Sequence, residues 1–173
     1  MEEAPSTARL ALKWGVIAGV VYIVYSTILY LTGLFSNQLA SAFSMVLMIL
    51  FIVLAMRDFR TLNGGYMSYG EGVSLGSLMS AISGLFSSTF NYIYTTFIDP
   101  TIQQQVIDKM REQWEGQGMS DEQIEGMIEA TQAFQSPGLT FVFGVLGAIL
   151  IGLIISLIVA AFMRRNKPFG DFQ

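Results

Sequence analysis

The sequence predicts an all-α polytopic membrane protein with four transmembrane helices. An extramembrane amphipathic helical hairpin is predicted between spans 3 and 4. Four long apolar stretches without a charged residue carry this prediction, at residues 14–35, 39–56, 73–98 and 139–163. Crossing the hydrocarbon core of a bilayer takes about 20 such residues. The composition agrees, because 53% of the 173 residues are hydrophobic and only 13% are charged, against about 25% charged in soluble domains. We expect a single transmembrane domain, with residues 99–138 as its helical insertion.

The first two spans are expected to form an antiparallel hairpin, because only residues 36–38 join them. The first span is longer than the roughly 7–15 apolar residues of a signal peptide. No small-residue cleavage pattern follows it, so we expect it to be retained.

Basic residues predict the orientation. All nine lie outside the spans, and seven flank the same side if there are four crossings: Arg9, Lys13, Arg57, Arg60, Arg164, Arg165 and Lys167. Lys109 and Arg111 lie on the opposite side. Cytoplasmic flanks are enriched in Lys and Arg, so we expect both termini in the cytoplasm and residues 99–138 outside. That connection is acidic, with eight acidic residues against two basic ones.

The connection between spans three and four shows helical patterning. Asp99 as an N-cap and Pro100 at the first helical position are typical of a helix start. An apolar stripe then recurs every four residues at Ile102, Val106, Met110 and Trp114, and Gly116 and Gly118 interrupt it. Ser120 and Gln123 have capping-box spacing at the start of a second helix, which Pro137-Gly138 should end. Self-packing or contact with the membrane interface explains the stripe. A partner-binding surface is the alternative, with these candidate contact residues: Val106, Met110, Trp114, Ile124 and Ile128.

Small residues recur at every fourth position in two spans, in the third at Gly72, Gly76, Ser80, Gly84 and Ser88, and in the fourth at Gly144, Ala148, Gly152, Ser156 and Ala160. Such ridges let helix backbones approach closely in lipid. We expect third-against-fourth packing within one subunit, with homo-oligomer contact as the alternative. The helix-packing candidates are Gly72, Gly76, Gly84, Gly144 and Gly152.

The residue inventory argues against several functions. The chain has no cysteine and no histidine. It therefore lacks thiolate nucleophiles and thiolate metal ligands, and it lacks the imidazole that most often serves as a general base or a transition-metal ligand. No charged residue lies within the spans, which disfavours an ion-coupled transporter. We expect no enzymatic activity, no cofactor, no metal and no nucleic-acid partner. Asn91 is the most polar residue of the spans, and we expect it to join helices or, alternatively, to serve binding or conduction.

The connection between spans two and three is the densest candidate site, with Arg57, Arg60, Asn63, Gly64, Gly65, Tyr66 and Glu71. Guanidinium groups match phosphate oxygens, so this segment is a candidate loop for a lipid headgroup or a partner. The structural alternative is a basic anchor followed by a turn and a helix cap.

The same segment resembles the DUF4199 family, small four-span membrane proteins found mainly in Bacteroidetes. The resemblance rests on these segments: Arg57-x-x-Arg60, Asn63-Gly64-Gly65-Tyr66-Met67-Ser68-Tyr69-Gly70-Glu71-Gly72, Phe97-Ile98-Asp99-Pro100, Met119-Ser120-Asp121-Glu122-Gln123-Ile124-Glu125 and Arg164-Arg165. It implies a bacterial inner-membrane location and a periplasmic hairpin. The family has no established activity, so no catalytic residue can be transferred.

Two functions follow as hypotheses. The favoured one is a non-enzymatic accessory or scaffold subunit that uses its periplasmic helices for partner contact. The alternative is a small carrier or channel-like protein for a lipid-linked or small solute. The expected partners are membrane lipids and another membrane protein or a second copy of the chain.

Overall fold

The computed structural model describes residues 5–134 and 136–166, which form six helices. They are α1 (Thr7–Thr32), α2 (Gln38–Leu62), α3 (Tyr69–Ile93, continued by a π-helical turn at Tyr94–Ile98), α4 (Thr101–Gly116), α5 (Asp121–Phe134) and α6 (Pro137–Met163). Four of them, α1, α2, α3 with its π-turn, and α6, are long and apolar enough to cross a membrane. The predicted all-α class and the four spans are confirmed.

Helix α3 is the centre of the bundle. Helices α1 and α6 pack along it on different sides, while α2 contacts α1, α3 and α6. We call the end where α2 stops and α3 starts the inner end, and the opposite end the outer end. The fully buried large side chains of the bundle lie in its inner half, among them Ile52, Met56, Phe59, Leu75 and Met79.

The two ladders of small residues lie face to face in antiparallel register. Gly72 lies against Ala160, Gly76 against Ser156, Ser80 against Gly152, Gly84 against Ala148 and Ser88 against Gly144. A Cβ atom added to Gly84 would lie 2.6 Å from the Ala148 Cβ, so a larger side chain would force the backbones apart. The structure therefore has third-against-fourth packing within one chain. On another side of α3, Gly15 and Gly19 of α1 lie equally close to Ile82 and Phe86.

The helices extend past the apolar stretches at the inner end. Arg57 and Arg60 lie on the last turns of α2, and Glu71 lies on the first turn of α3. The predicted loop therefore shrinks to residues 63–68. The physical reason is that apolar composition marks the hydrocarbon thickness, whereas helical hydrogen bonds continue into the headgroup region.

Two helix starts differ from the prediction. Helix α4 begins at Thr101, one residue after Pro100, and the Asp99 carboxylate accepts from the Thr101 N–H at 3.1 Å. Pro137 begins α6 instead of ending α5, with Ser136 as the N-cap. Proline suits a first helical position because it has no N–H to leave unsatisfied. Residues 1–4 and the basic flank residue Lys167 lie outside the described residues.

Candidate functional site

The connection at the inner end is a compact turn that caps α2. The Gly65 N–H donates to the Arg60 carbonyl at 2.7 Å, and the Asn63 side-chain amide donates to the Tyr66 carbonyl at 3.0 Å. Gly64 and Gly65 have φ values of 63° and 90°, in the left-handed region that favours glycine. The Asn-Gly-Gly segment therefore ends α2 and reverses the chain.

Glu71 is committed to the start of α3. Its carboxylate accepts from the Ser68 N–H at 2.7 Å, while the Glu71 N–H donates to the Ser68 hydroxyl at 3.3 Å. This reciprocal pair is a capping box. The arrangement is the structural alternative that the sequence offered for this segment, a turn followed by a helix cap.

The end of α6 is tied to the same connection. Met67 and Arg165 exchange two backbone hydrogen bonds, of 2.9 and 2.8 Å. The Arg165 guanidinium lies 5.9 Å from the centre of the Tyr66 ring, within cation–π range. The Met67 side chain is fully buried and reaches Gly72. The first residues of α3 and the last of α6 are thereby held together.

A clamp centred on Asp58 closes the opposite side of the inner end. Its carboxylate accepts from the Lys13 ammonium and from the Trp14 indole N–H, both at 2.8 Å. Asp58 and Glu71 thus have different partners. Arg57 is exposed beside this clamp, where the headgroup region of a bilayer would lie. Sequence reasoning missed the clamp because its residues are more than 40 positions apart.

The α4–α5 hairpin has a small core of its own. Ile107, Ile124 and Ile128 are buried in it, with Trp114 and Met119 packed against them. Three of the predicted contact residues, Trp114, Ile124 and Ile128, therefore face the inside of the hairpin and do not form an outer binding surface. Met110 and Val106 are half-buried.

A cavity of about 260 Å³ lies at the outer end, between the bundle and α4; we call it the outer cavity. Its lining is Tyr30, Phe35, Asn91, Thr95, Ile102, Gln103, Val106 and Thr140. The Asn91 amide donates to the Tyr30 hydroxyl, and the Tyr30 ring stacks on Tyr94 with ring centres 4.4 Å apart. The π-turn begins at Tyr94, and π-turns are frequent at functional sites.

A larger cavity, of about 510 Å³, lies nearer the middle of the bundle; we call it the lateral groove. It is lined by Tyr22, Gln38, Ser41, Ala42, Ser44, Met45, Met48, Ser83, Gly84, Ser87, Ala148 and Ile151. It exists because the outer half of α2 separates from α3 and α6. No residue of α2 before Met48 is buried.

The described part of the chain contains no cluster of side chains suited to bind a metal ion. No group of three or more Asp, Glu, His or Cys side chains is placed there to hold an ion. The polar groups of the two cavities are uncharged amides and hydroxyls, which can bind by hydrogen bonds.

The family comparison adds a match over nearly the whole bundle. The family described as "Protein of unknown function (DUF4199)" matches residues 13–165. The chain belongs to the DUF4199 family. The match begins at Lys13 of the Asp58 clamp and ends at Arg165 of the bridge to Met67, so the DUF4199 region encloses both inner-end ties. No curated protein and no solved structure matches the chain.

Some residues of these sites escaped sequence reasoning. Gln103, Thr95 and Thr140 were not singled out, and Asn91 was considered only as one polar residue of the span. A usable signal existed, because Ser87, Asn91 and Thr95 recur every four residues and so share one face of α3. Polar residues on one face of a span indicate contact with a helix, a ligand or water.

Proposed function

We propose that this protein is a non-enzymatic accessory or scaffold subunit of the bacterial inner membrane. Both termini lie in the cytoplasm, and the α4–α5 hairpin contacts a partner in the periplasm. The observation that carries this proposal is the closed core of the hairpin. Within the described residues, α5 packs chiefly on α4, so the hairpin is a folded unit that projects from the bundle.

The exposed faces of the hairpin are acidic. Asp108, Glu112 and Glu115 are exposed on α4, and Glu122, Glu125 and Glu129 are exposed on α5. Most of the apolar stripe packs inside the hairpin or lines the outer cavity, so we assign recognition to these carboxylates. We therefore infer a partner with a basic surface, whose association steepens at low ionic strength.

The orientation is supported by the six described basic residues at the inner end, and cysteine labelling tests it directly. The chain has no cysteine, so single cysteines introduced at Glu115 and Asn63 give clean signals. A membrane-impermeant maleimide should label the Glu115 position in intact spheroplasts and the Asn63 position only after lysis. Labelling of the Asn63 position in intact spheroplasts would reverse the orientation.

Photo-crosslinking in native membranes tests the contact surface. A photo-reactive amino acid at Glu129, on the exposed face of α5, should give a discrete adduct that weakens when salt is raised. The control is the same amino acid at Leu146, an exposed residue of α6 that faces lipid. No adduct from Glu129, or the same adduct from both positions, would count against a hairpin contact.

A carrier for a lipid-linked solute is the second candidate, because the outer cavity and the lateral groove provide space for a ligand. This candidate predicts solute flux in liposomes that contain only the purified protein. The accessory function predicts none.

A further inference from the structure

The outer cavity and the lateral groove lie one after the other along the same helix faces. On α3, Ser87 lines the groove, and Asn91 and Thr95 line the cavity. On α1, Tyr22 lines the groove and Tyr30 lines the cavity. Residues four positions apart lie on one helix face, and four residues rise about 6 Å. Because the two are adjacent along α3, an elongated molecule that reaches from Ser87 to Asn91 would contact both.

We propose that the outer half of the bundle binds one lipid of the outer leaflet that has an uncharged, hydroxyl-rich headgroup. The headgroup occupies the outer cavity, and one acyl chain occupies the lateral groove. This inference goes beyond the accessory function and does not depend on a protein partner, although the choice of leaflet rests on the proposed orientation.

The dimensions of the groove suit one acyl chain. Its lining on α2 runs from Gln38 to Met48, and these ten residue steps rise about 15 Å. That length is half of the roughly 30 Å hydrocarbon core, or one leaflet. Met45 and Ile151 are exposed at the rim, so the groove is open to the surrounding lipid.

Three of the four serine residues that line the groove do not oppose an apolar occupant. The Ser44 hydroxyl donates to the Ala40 carbonyl, and the Ser87 hydroxyl donates to the Gly84 carbonyl, each at 3.2 Å. Ser83 donates to the Ser80 carbonyl at the same distance. Because these hydroxyls already donate to carbonyls of their own helix, an acyl chain in the groove would not leave them without a hydrogen-bond partner.

The outer cavity has the chemistry of a neutral polyol site. Tyr30 and Phe35 offer aromatic surface, and Asn91 and Gln103 offer amides that both donate and accept. The Tyr30 oxygen accepts from Asn91, which leaves the phenol proton able to donate into the cavity. A sugar or glycerol headgroup has matching hydroxyls that donate and accept.

Charge argues against a phosphate headgroup. None of the eight residues that line the cavity carries a charge at neutral pH. A buried phosphate would need cationic partners, yet the connection that begins just above the cavity has eight acidic and two basic residues. A negative headgroup would be repelled there, whereas an uncharged one would not.

The test measures lipid retention by the full chain. The protein is reconstituted in phosphatidylcholine nanodiscs that contain equal small amounts of monoglucosyl diacylglycerol, phosphatidylglycerol and diacylglycerol with identical chains. A zwitterionic detergent is used beforehand, because alkyl-glycoside detergents carry the proposed headgroup. Native mass spectrometry then counts the lipid released with each protein.

We expect one monoglucosyl diacylglycerol per chain, retained about tenfold over phosphatidylglycerol, which corresponds to about 1.4 kcal/mol. Diacylglycerol should be retained less than the glucolipid, because it lacks the sugar. Added free glucose should not displace the glucolipid at low concentration, because the acyl chain contributes part of the affinity.

Two variants with matched controls separate the two parts of the site. Ala42→Phe fills the groove from α2 and should lower the retention of all three lipids, whereas Leu50→Phe, on an exposed part of α2 outside the groove, should not. Gln103→Ala should reduce the preference for the glucolipid, whereas Gln113→Ala, on an exposed face of α4, should preserve it. Melting curves identify any variant that fails to fold.

Several results would overturn the proposal. They are equal retention of the glucolipid and phosphatidylglycerol, a preference that survives Gln103→Ala, or retention unchanged by Ala42→Phe. A lipid-free dimer whose formation Ala42→Phe abolishes would assign the groove to a second copy instead.

Discussion

The two halves of the bundle are built differently. In the inner half, all four spanning helices contribute buried residues, such as Leu10, Ile52, Leu75 and Ile155. In the outer half, the buried residues of α1 stop at Gly19 and those of α2 do not begin before Met48. Beyond that level α3 and α6 remain in contact through Ser88 and Gly144.

The connections follow the same division. The inner end is tied by the Asp58 clamp, the Met67–Arg165 bridge and the Ser68–Glu71 capping box. The outer end carries the two cavities and a hairpin with a separate core. Binding sites tend to lie in the less stable parts of proteins, so we assign the stability of the fold to the inner half and ligand or partner contact to the outer half.

The largest effect should come from breaking the α3–α6 ladder. Gly152→Leu would push side-chain carbons into Ser80 and Met48, and the cost should be at least about 3 kcal/mol because backbones must separate. We expect loss of the folded peak in fluorescence-detected size exclusion. Gly147→Leu, on the same helix with nothing within 4 Å of an added Cβ, should fold normally. If both variants gave the same folded peak, the close packing of small residues between α3 and α6 would not be what stabilises the fold.

A smaller, local effect should follow from Ile124→Ala in the core of the hairpin. Ile124 is fully buried, so its truncation should lower the local opening free energy by about 2–4 kcal/mol. Hydrogen exchange should rise in α4 and α5, while the melting temperature of the bundle stays constant. Met127→Ala, at a residue 40% exposed, is the control. A lower bundle melting temperature would show that the hairpin is part of the main cooperative unit.

The Asp58 clamp should have a moderate effect. Asp58→Ala removes two hydrogen bonds to a carboxylate, and we expect a loss of about 1–2 kcal/mol, since Lys13 is largely exposed to solvent. Lys13→Met should add little in that background, because both changes remove the same interaction. Thermal unfolding of both single variants and the double variant measures this. Fully additive losses would mean that the ion pair contributes nothing to the inner end.

The sequence predicted the parts of this fold that the bilayer dictates. Span length follows from hydrocarbon thickness, and the small-residue ladders marked the faces of α3 and α6 that meet. Periodicity shows which face of a helix is apolar, but not which neighbour covers it. The Asp58 clamp and the Met67–Arg165 bridge depend on pairings between distant segments, so no local sequence pattern could predict them.

Helix α4 shows why its apolar stripe is not one continuous surface. A stripe at every fourth position rotates by about 40° per step, because a helix turns about 100° per residue. Ile102 and Trp114 are thus about 120° apart and face different neighbours. Ile102 and Val106 line the outer cavity, whereas Trp114 packs with Ile107 against α5. Sequence reasoning treated these two faces as one surface and therefore missed the cavity.

The smallest effect gives the cleanest comparison, because the same cap occurs in both regions. Ser68 and Ser120 each accept from the backbone N–H three residues later and complete a capping box. Serine-to-alanine at either N-cap should cost about 1 kcal/mol. Ser68→Ala should lower the melting temperature of the bundle, because α3 is packed against every other spanning helix. Ser120→Ala should leave that temperature constant and raise hydrogen exchange only in α5. If both substitutions lowered the bundle melting temperature equally, the hairpin and the bundle would unfold together, and the hairpin would not be a separately folded unit.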